Sequence, residues 1–191
     1  MKSHFQPNFV ALILSFSSFV SMSGSSSANA DPQTDLKFAQ ANYQKNPTDK
    51  NLAIQLAKAY LRVSKPGEAS KTLEAAAEAA PQDASIHYLL GDSLLRDQKM
   101  PEAAFELKRA FNLDSTKGIY AVRAGEALLG AQRFDELNEW CAQALTKPVD
   151  ETSRITLSTL SKAAQLRQTG RQKVILNPNW SEGVKTGGDS K

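Results

Sequence analysis

An all-α chain built of repeated helical hairpins is the fold class that this sequence predicts, and three observations carry the prediction. Beyond Asp31 the apolar residues recur with helical periodicity and without β alternation, in a background rich in Ala, Leu, Glu, Lys and Gln. Pro47 and Pro81 stand 34 residues apart, and 34 further on lies Ser115 in the turn LDSTKG. Small residues stack at the same interval: Ala57 with Gly91 and Gly125, Ala76 with Ala110 and Ala144, Ala69 with Ala103. A fixed period of this size marks a supersecondary unit that is copied and stacked.

Taken from the N-terminus, residues 1–30 read as a leader. Lys2 opens a short polar start, FVALILSFSSFV at 9–20 is apolar, and a small-residue region ends in Ala28-Asn29-Ala30. The apolar run is well short of the roughly 20 residues that span a bilayer as a helix. A cleaved signal peptide with a mature start at Asp31 is therefore expected, and with it an exported protein, periplasmic or secreted, with no integral membrane segment left. A transit peptide and an uncleaved anchor are the other readings of the same composition. Cys141 is the only cysteine, so an intramolecular disulfide is excluded, and its thiol is expected to be buried.

A helix over 34–46 comes next, in the register of a second hairpin helix, with Phe38 and Tyr43 expected to pack on the first repeat. Hairpins follow at 50–83, 84–117 and 118–150. Pro66 and Pro101 stand at the first turn of the second helices, where a missing N–H is harmless. Asp83 or Ala84 and Thr116 to Lys117 mark the starts of first helices. Within a hairpin the axes must approach closely, and a side chain beyond Ala at the crossing would push them apart. Gly91 costs about 1 kcal/mol of helix propensity against Ala, which is offset only if the neighbouring helix needs the space. The third repeat departs from the pattern, with Leu137 in a small column and Pro148 one residue early.

A helix over 151–167 places Ile155, Leu157, Leu160, Ala164 and Leu166 to cover the last open face, since stacked repeats need terminal caps to stay soluble. The stretch 169–191 is expected to be a flexible tail. In the competing reading its VILNPNW segment folds back onto the groove or the last helix.

Larger residues stack at the same interval, Leu56 with Leu90, Tyr60 with Leu94 and Leu128, and Leu73 with Leu107 and Cys141. Together with the small columns they resemble the tetratricopeptide repeat, in which a 34-residue unit is a helix, a tight turn and an antiparallel helix. The resemblance covers residues 31–168 and is strongest in the first two repeats. It implies a right-handed α-solenoid of about three hairpins whose first helices line an inner groove. Carried over position by position, the groove holds Ile54, Lys58, Leu61 and Arg62, then Tyr88, Asp92, Leu95 and Arg96, then Val122, Arg123 and Glu126. Asn51, Ser85, Leu89, Ile119 and Leu129 stand beside them. The chaperone-binding subtype of the family cages a terminal carboxylate with Lys, Asn and Arg. Here its first Lys position is Ile54, its Asn position is Lys58 and only Arg123 is a matching base, so that clamp is not expected. The groove instead suits an amphipathic segment received on Ile54, Tyr88, Leu95 and Val122 within a polar rim. The plainer reading is that these apolar residues face one another or the adjacent helix.

The chemical inventory is thin. The chain carries 23 basic and 20 acidic residues, and between 31 and 167 it is formally neutral, so charge names no nucleic acid or other polyanion as a partner. His4 lies in the leader and leaves His87 alone, in a core column where a satisfied histidine outweighs a catalytic one. One Cys and one His cannot supply a zinc set, and no Gly-rich phosphate loop follows a strand. A non-enzymatic, cofactor-free adaptor that binds a protein or peptide in its groove, in the cell envelope or outside the cell, is the expected function. A structural module that self-assembles into a homo-oligomer without a peptide ligand is the alternative.

Overall fold

A computed structural model describes residues 31–176, with side chains to residue 170; the expected leader at 1–30 and the tail beyond Leu176, Trp180 included, lie outside the described residues. Among the described residues there are helices and no strands. In chain order they are α1 (Pro32–Lys45), α2 (Lys50–Arg62), α3 (Pro66–Ala79), α4 (Ala84–Arg96), α5 (Met100–Leu113), α6 (Gly118–Gly130), α7 (Phe134–Leu145) and α8 (Glu151–Leu176). The pairs α2/α3, α4/α5 and α6/α7 fall inside the three expected repeats. Each second helix packs on its own first helix and on the next one, while α4 also touches α2 and α6. The result is an α-solenoid of two layers, with α2, α4 and α6 on one side and α3, α5 and α7 on the other.

Turn geometry repeats with the sequence. Ser64, Gln98 and Gln132, spaced by 34, all adopt left-handed φ of 57°, 61° and 59°. At each, the next residue closes a six-residue loop: Lys65 N–H to the Tyr60 carbonyl, Lys99 to Leu94 and Arg133 to Leu128. The left-handed residue itself bonds Leu61, Leu95 or Leu129. Those two bonds define a Schellman ending, which satisfies carbonyls left open at the end of the first helix. Pro66 then opens α3 and Pro101 sits in the first turn of α5.

Between repeats the chain turns over residues 46–49, 80–83 and 114–117, each closed by a backbone bond. Asp49 and Asp83 cap α2 and α4 through their carboxylates. Lys117 stands in the equivalent place and cannot accept; there Asp114 accepts from the Thr116 N–H and hydroxyl instead. Lys50 also reaches Asp83 at 2.7 Å. The Lys50 hydrogen bond and those from Ser85 lower the Asp83 carboxyl to about 2.

The small columns do what close approach requires, with Ala57, Ala69, Ala103, Ala110 and Ala144 buried. A Cβ on Gly91 would stand 2.5 Å from Leu107 Cγ of α5 and 3.3 Å from the Ala103 carbonyl oxygen. At Gly125 the reason differs from the expected one. The first atom met is Leu160 Cδ1 of α8 at 2.9 Å, ahead of Leu137 Cδ1 of its own hairpin at 3.4 Å. The larger Leu137 is therefore tolerated in α7, and the space over Gly125 belongs chiefly to the capping helix. Trp140 fills the α6/α7 core, edge-on to Phe111 at 5.6 Å, with its Nε1 donating to the Ala121 carbonyl at 3.0 Å.

The ends depart from expectation in three respects. Phe38 does not pack on the first repeat but is 69% exposed. Leu36, Ala39 and Tyr43 form the stripe that faces α2, and Phe38 lies two residues from Leu36, about 200° round the helix. In α8 the covering residues are Leu157, Leu160 and Ala164, whereas Ile155 and Leu166 are exposed. Each is two residues from a buried position and so points away from α6 and α7. Finally, α8 runs past the expected end at 167 to Leu176, so the first residues of the expected flexible tail are helical.

Candidate functional site

The face formed by the first helices carries the residues that the family positions select. Ile54, Tyr88 and Val122 are the fifth residues of α2, α4 and α6, and Ile155 is the fifth residue of α8. The row thus extends onto a helix that sequence reasoning treated only as a cover. Ile54 and Tyr88 are half-buried, Val122 is 6% exposed and serves the packing beneath the surface, and Ile155 is 59% exposed. Leu61, Leu95, Leu89 and Leu129 are half-buried against the core, while Asn51, Ser85 and Ile119 are exposed.

Tyr88 is fixed by a partner absent from the sequence-derived set. Its ring stacks on Tyr120 of α6 with centroids 4.6 Å apart and planes at 24°. Tyr120 is itself buried, and that burial raises its hydroxyl above the ordinary tyrosine value, helped by the charge of Asp114. Its column contains Ile86 and Leu52, so an aromatic in an otherwise aliphatic column was the available signal.

The polar centre lies one to two turns along. Asp92 is buried, a place the sequence reading gave to a solvated rim. Arg96 Nε donates to its Oδ2 at 3.0 Å, and Arg123 Nη2 donates to its Oδ1 at 2.5 Å. Arg123 Nη1 donates to Glu126 Oε2 at 2.9 Å. Burial opposes the charge of Arg123, but the bonds to Glu126 and Asp92 outweigh it and hold the guanidinium above its ordinary value. One arginine thus ties α6 to α4 and has both arms committed. Arg62 is engaged with Asp35 of α1. Lys58 is exposed. The clamp expected to be absent has no place here: Ile54 offers no charge, and Arg123 is not available to a terminal carboxylate.

His87 is 1% exposed and behind this face. Its Nε2 donates to the Pro81 carbonyl at 3.1 Å, and Nδ1 stands 2.6 Å from Glu106 Oε2. Because a carbonyl only accepts, Nε2 is the donor in the first contact, and both ring nitrogens have a partner. Cys141 is buried, and desolvation pushes its thiol up to about 11. Among the described residues no group of three or more His, Cys, Asp or Glu could hold a metal ion. No helix among them is long and apolar enough to cross a membrane.

Comparisons with known proteins agree with this architecture. Residues 54–111 match the family model described as tetratricopeptide repeat. No curated protein matches the chain. Among solved structures it is similar to MamA, residue 41 to the end, from Desulfovibrio magneticus RS-1. That likeness has 21% identity and a TM-score of 0.55, and covers 61% of this chain and 66% of that one. MamA AMB-1 is similar at 19% identity and TM-score 0.58, over 80% of this chain and 91% of that one. The TPR2AB domain of yeast Sti1, in complex with pHSP90, is similar at 23% identity and TM-score 0.54, over 70% of this chain and 53% of that one. The chain therefore spans just under two thirds of the Desulfovibrio protein and about half of the Sti1 chain, and at these identities the likeness is one of fold. Three stacked hairpins in a two-layer solenoid are the architecture of tetratricopeptide repeats, and the match to that family's model lies across the first two of them.

Proposed function

We propose that this protein is a non-enzymatic adaptor that receives an amphipathic segment of a partner protein across α2, α4, α6 and α8, and that it works as an exported protein in the cell envelope or outside the cell. The observation that carries the reading is the stiffness of the first-helix face. Tyr88 is held by Tyr120, and the charges around Asp92 are bound to one another across two helices. A face already ordered loses little freedom when a ligand arrives, which is where affinity is gained. Ile54, Tyr88, Leu95 and Ile155 then offer apolar anchors, with Lys58, Arg96 and Glu126 as the rim. The similar Sti1 domain is known in complex with a partner, and repeat solenoids commonly use such a face for binding. His87 and Cys141 are both buried, which supports a role without catalysis.

The test begins with a photo-crosslinker at Lys58, in cells, to identify the partner, followed by calorimetry with that partner purified. Ile155→Asp alters an exposed residue, and Tyr88→Ala removes the ring; each is expected to weaken binding about tenfold or more. Unchanged affinity in both variants, with the fold intact, would refute the groove reading. Export is tested separately. The protein isolated from its own cells is expected to begin at Asp31, and a chain beginning at Met1 in the cytosol would remove the location from the proposal.

A further inference from the structure

The opposite face, formed by the second helices, carries a feature that the groove does not explain. Phe105, on α5, is 64% exposed, and the residues 34 before and after it are Lys71 and Glu139. It is thus an aromatic ridge where both neighbouring repeats are charged. A cleft lies on each side. The one towards α3, about 550 Å³, is bounded by Glu74, Glu102 and Glu106 against Lys99, with Leu90 and Leu94 of α4 also lining it. The one towards α7, about 480 Å³, is bounded by Lys108, Arg109 and Arg133 against Glu136.

The two sides therefore carry opposite net charge around a shared apolar ridge. Some of these groups are already engaged. Glu106 contacts His87, Lys108 and Arg133 both reach Glu136, Lys99 reaches Asp97, and Arg109 donates to the Pro81 carbonyl. Glu74 and Glu102 are exposed, and the Arg109 side chain is half-exposed. The asymmetry has a simple sequence origin, because the acidic Glu74 of the first repeat becomes Lys108 in the second.

We infer that this face pairs with a second copy of the same chain, ridge against ridge, about a two-fold axis lying in the contact plane parallel to α5. That axis brings Phe105 against its counterpart and lays the acidic cleft of each copy over the basic cleft of the other. A surface with one sign of charge would repel its own copy in this arrangement, whereas a surface divided along α5 attracts it twice. Pairing here leaves the first-helix faces of both copies open, so the dimer would present two binding faces. The inference does not depend on the groove reading.

Sedimentation equilibrium of the protein as its own cells process it tests this directly. The wild type is expected to dimerise reversibly and less tightly at high salt, because the attraction is partly electrostatic. Phe105→Glu is expected to raise the dimer dissociation constant at least about tenfold, with unchanged circular dichroism and melting. Glu102→Lys alone and Arg133→Glu alone should each weaken the dimer, since these residues stand near the same height at the starts of α5 and α7 and every contact between copies then sets like charges together. An equal mixture of those two variants should dimerise as the wild type does, because both contacts in the mixed pair are again opposite in sign. A wild type that stays monomeric at every concentration overturns the inference and leaves the ridge to some other occupant. A dimer that persists in Phe105→Glu, or a mixture that fails to recover, overturns it as well.

Discussion

Replacing Gly91 by Ala isolates the contact on which the hairpin geometry rests. In an open helix this change gains about 1 kcal/mol of propensity. Here the new methyl would stand 2.5 Å from Leu107 Cγ, 2.9 Å from Leu107 Cδ2 and 3.3 Å from the Ala103 carbonyl oxygen. Carbon atoms prefer roughly 3.5–4.0 Å, so about 1 Å has to be recovered. The obstacle is the branch atom of a fully buried leucine, not a flexible tip, and the third neighbour is a backbone carbonyl. Overpacking of a well-filled core costs about 1–3 kcal/mol, and this overlap belongs at the upper end. A net loss of about 1–2 kcal/mol is expected, or a melting midpoint lower by about 3–6 °C. Urea titration followed by far-UV circular dichroism gives the free energy. Gly130→Ala is the internal control: its methyl would meet Met100 Sδ at 3.0 Å, and a methionine side chain yields. That change should be neutral or slightly stabilising. Leu107→Ala made in both backgrounds should cost less in the Gly91→Ala protein, because the two side chains compete for one volume. Equal or higher stability of Gly91→Ala, with no coupling to Leu107, would refute the close-approach argument.

Three further outcomes follow from the turns and the buried thiol. Gln98→Gly removes a side chain from a left-handed position and is expected to stabilise by up to about 1 kcal/mol, whereas Gln98→Val should destabilise; chemical denaturation decides. Asp83 is lowered to about 2, so its contribution is fully present above the ordinary 3.8 and is lost as pH falls from there through about 2. Melting midpoints measured across that window should fall more steeply in the wild type than in Asp83→Asn or Lys50→Met. Cys141 should be silent to thiol reagents in the native protein at pH 8 and react fully once unfolded, because burial pushes its thiol up to about 11.

The hairpins were legible because their signals are steric and local. Pro66, Pro101 and the columns headed by Ala57, Ala69 and Ala76 bracket α2 to α7 within the expected repeats. The turns themselves were not, since Ser64, Gln98 and Gln132 are neither Gly nor Asn, and nothing in Ser or Gln advertises left-handed backbone. The sequence pattern puts Phe38 and Ile155 on packed faces because, in a helix at the end of an array, the apolar stripe can be drawn in more than one phase. Only the neighbour's surface chooses between Leu36 and Phe38. Asp92 was read as rim because a carboxylate defaults to water; its burial depends on Arg123, which stands 31 residues away and whose role no single-helix pattern reveals. The same holds for Tyr120, whose value lies in the ring it meets across the helix boundary.

The dependence of Gly125 on Leu160 has a temporal side. The slot above that glycine stays empty while α6 and α7 leave the ribosome, and Ser161 and Gln168 must arrive before Asn138 finds its partners. Gly91, by contrast, is covered by Leu107 of its own hairpin, so the second repeat closes over its small column without the sequence that follows. During synthesis the array is therefore expected to consolidate from its beginning, with the third hairpin left waiting for the final helix. A chain halted near residue 150 would carry two settled repeats and one with an open seam over Gly125, a natural handle for quality-control proteases to grasp.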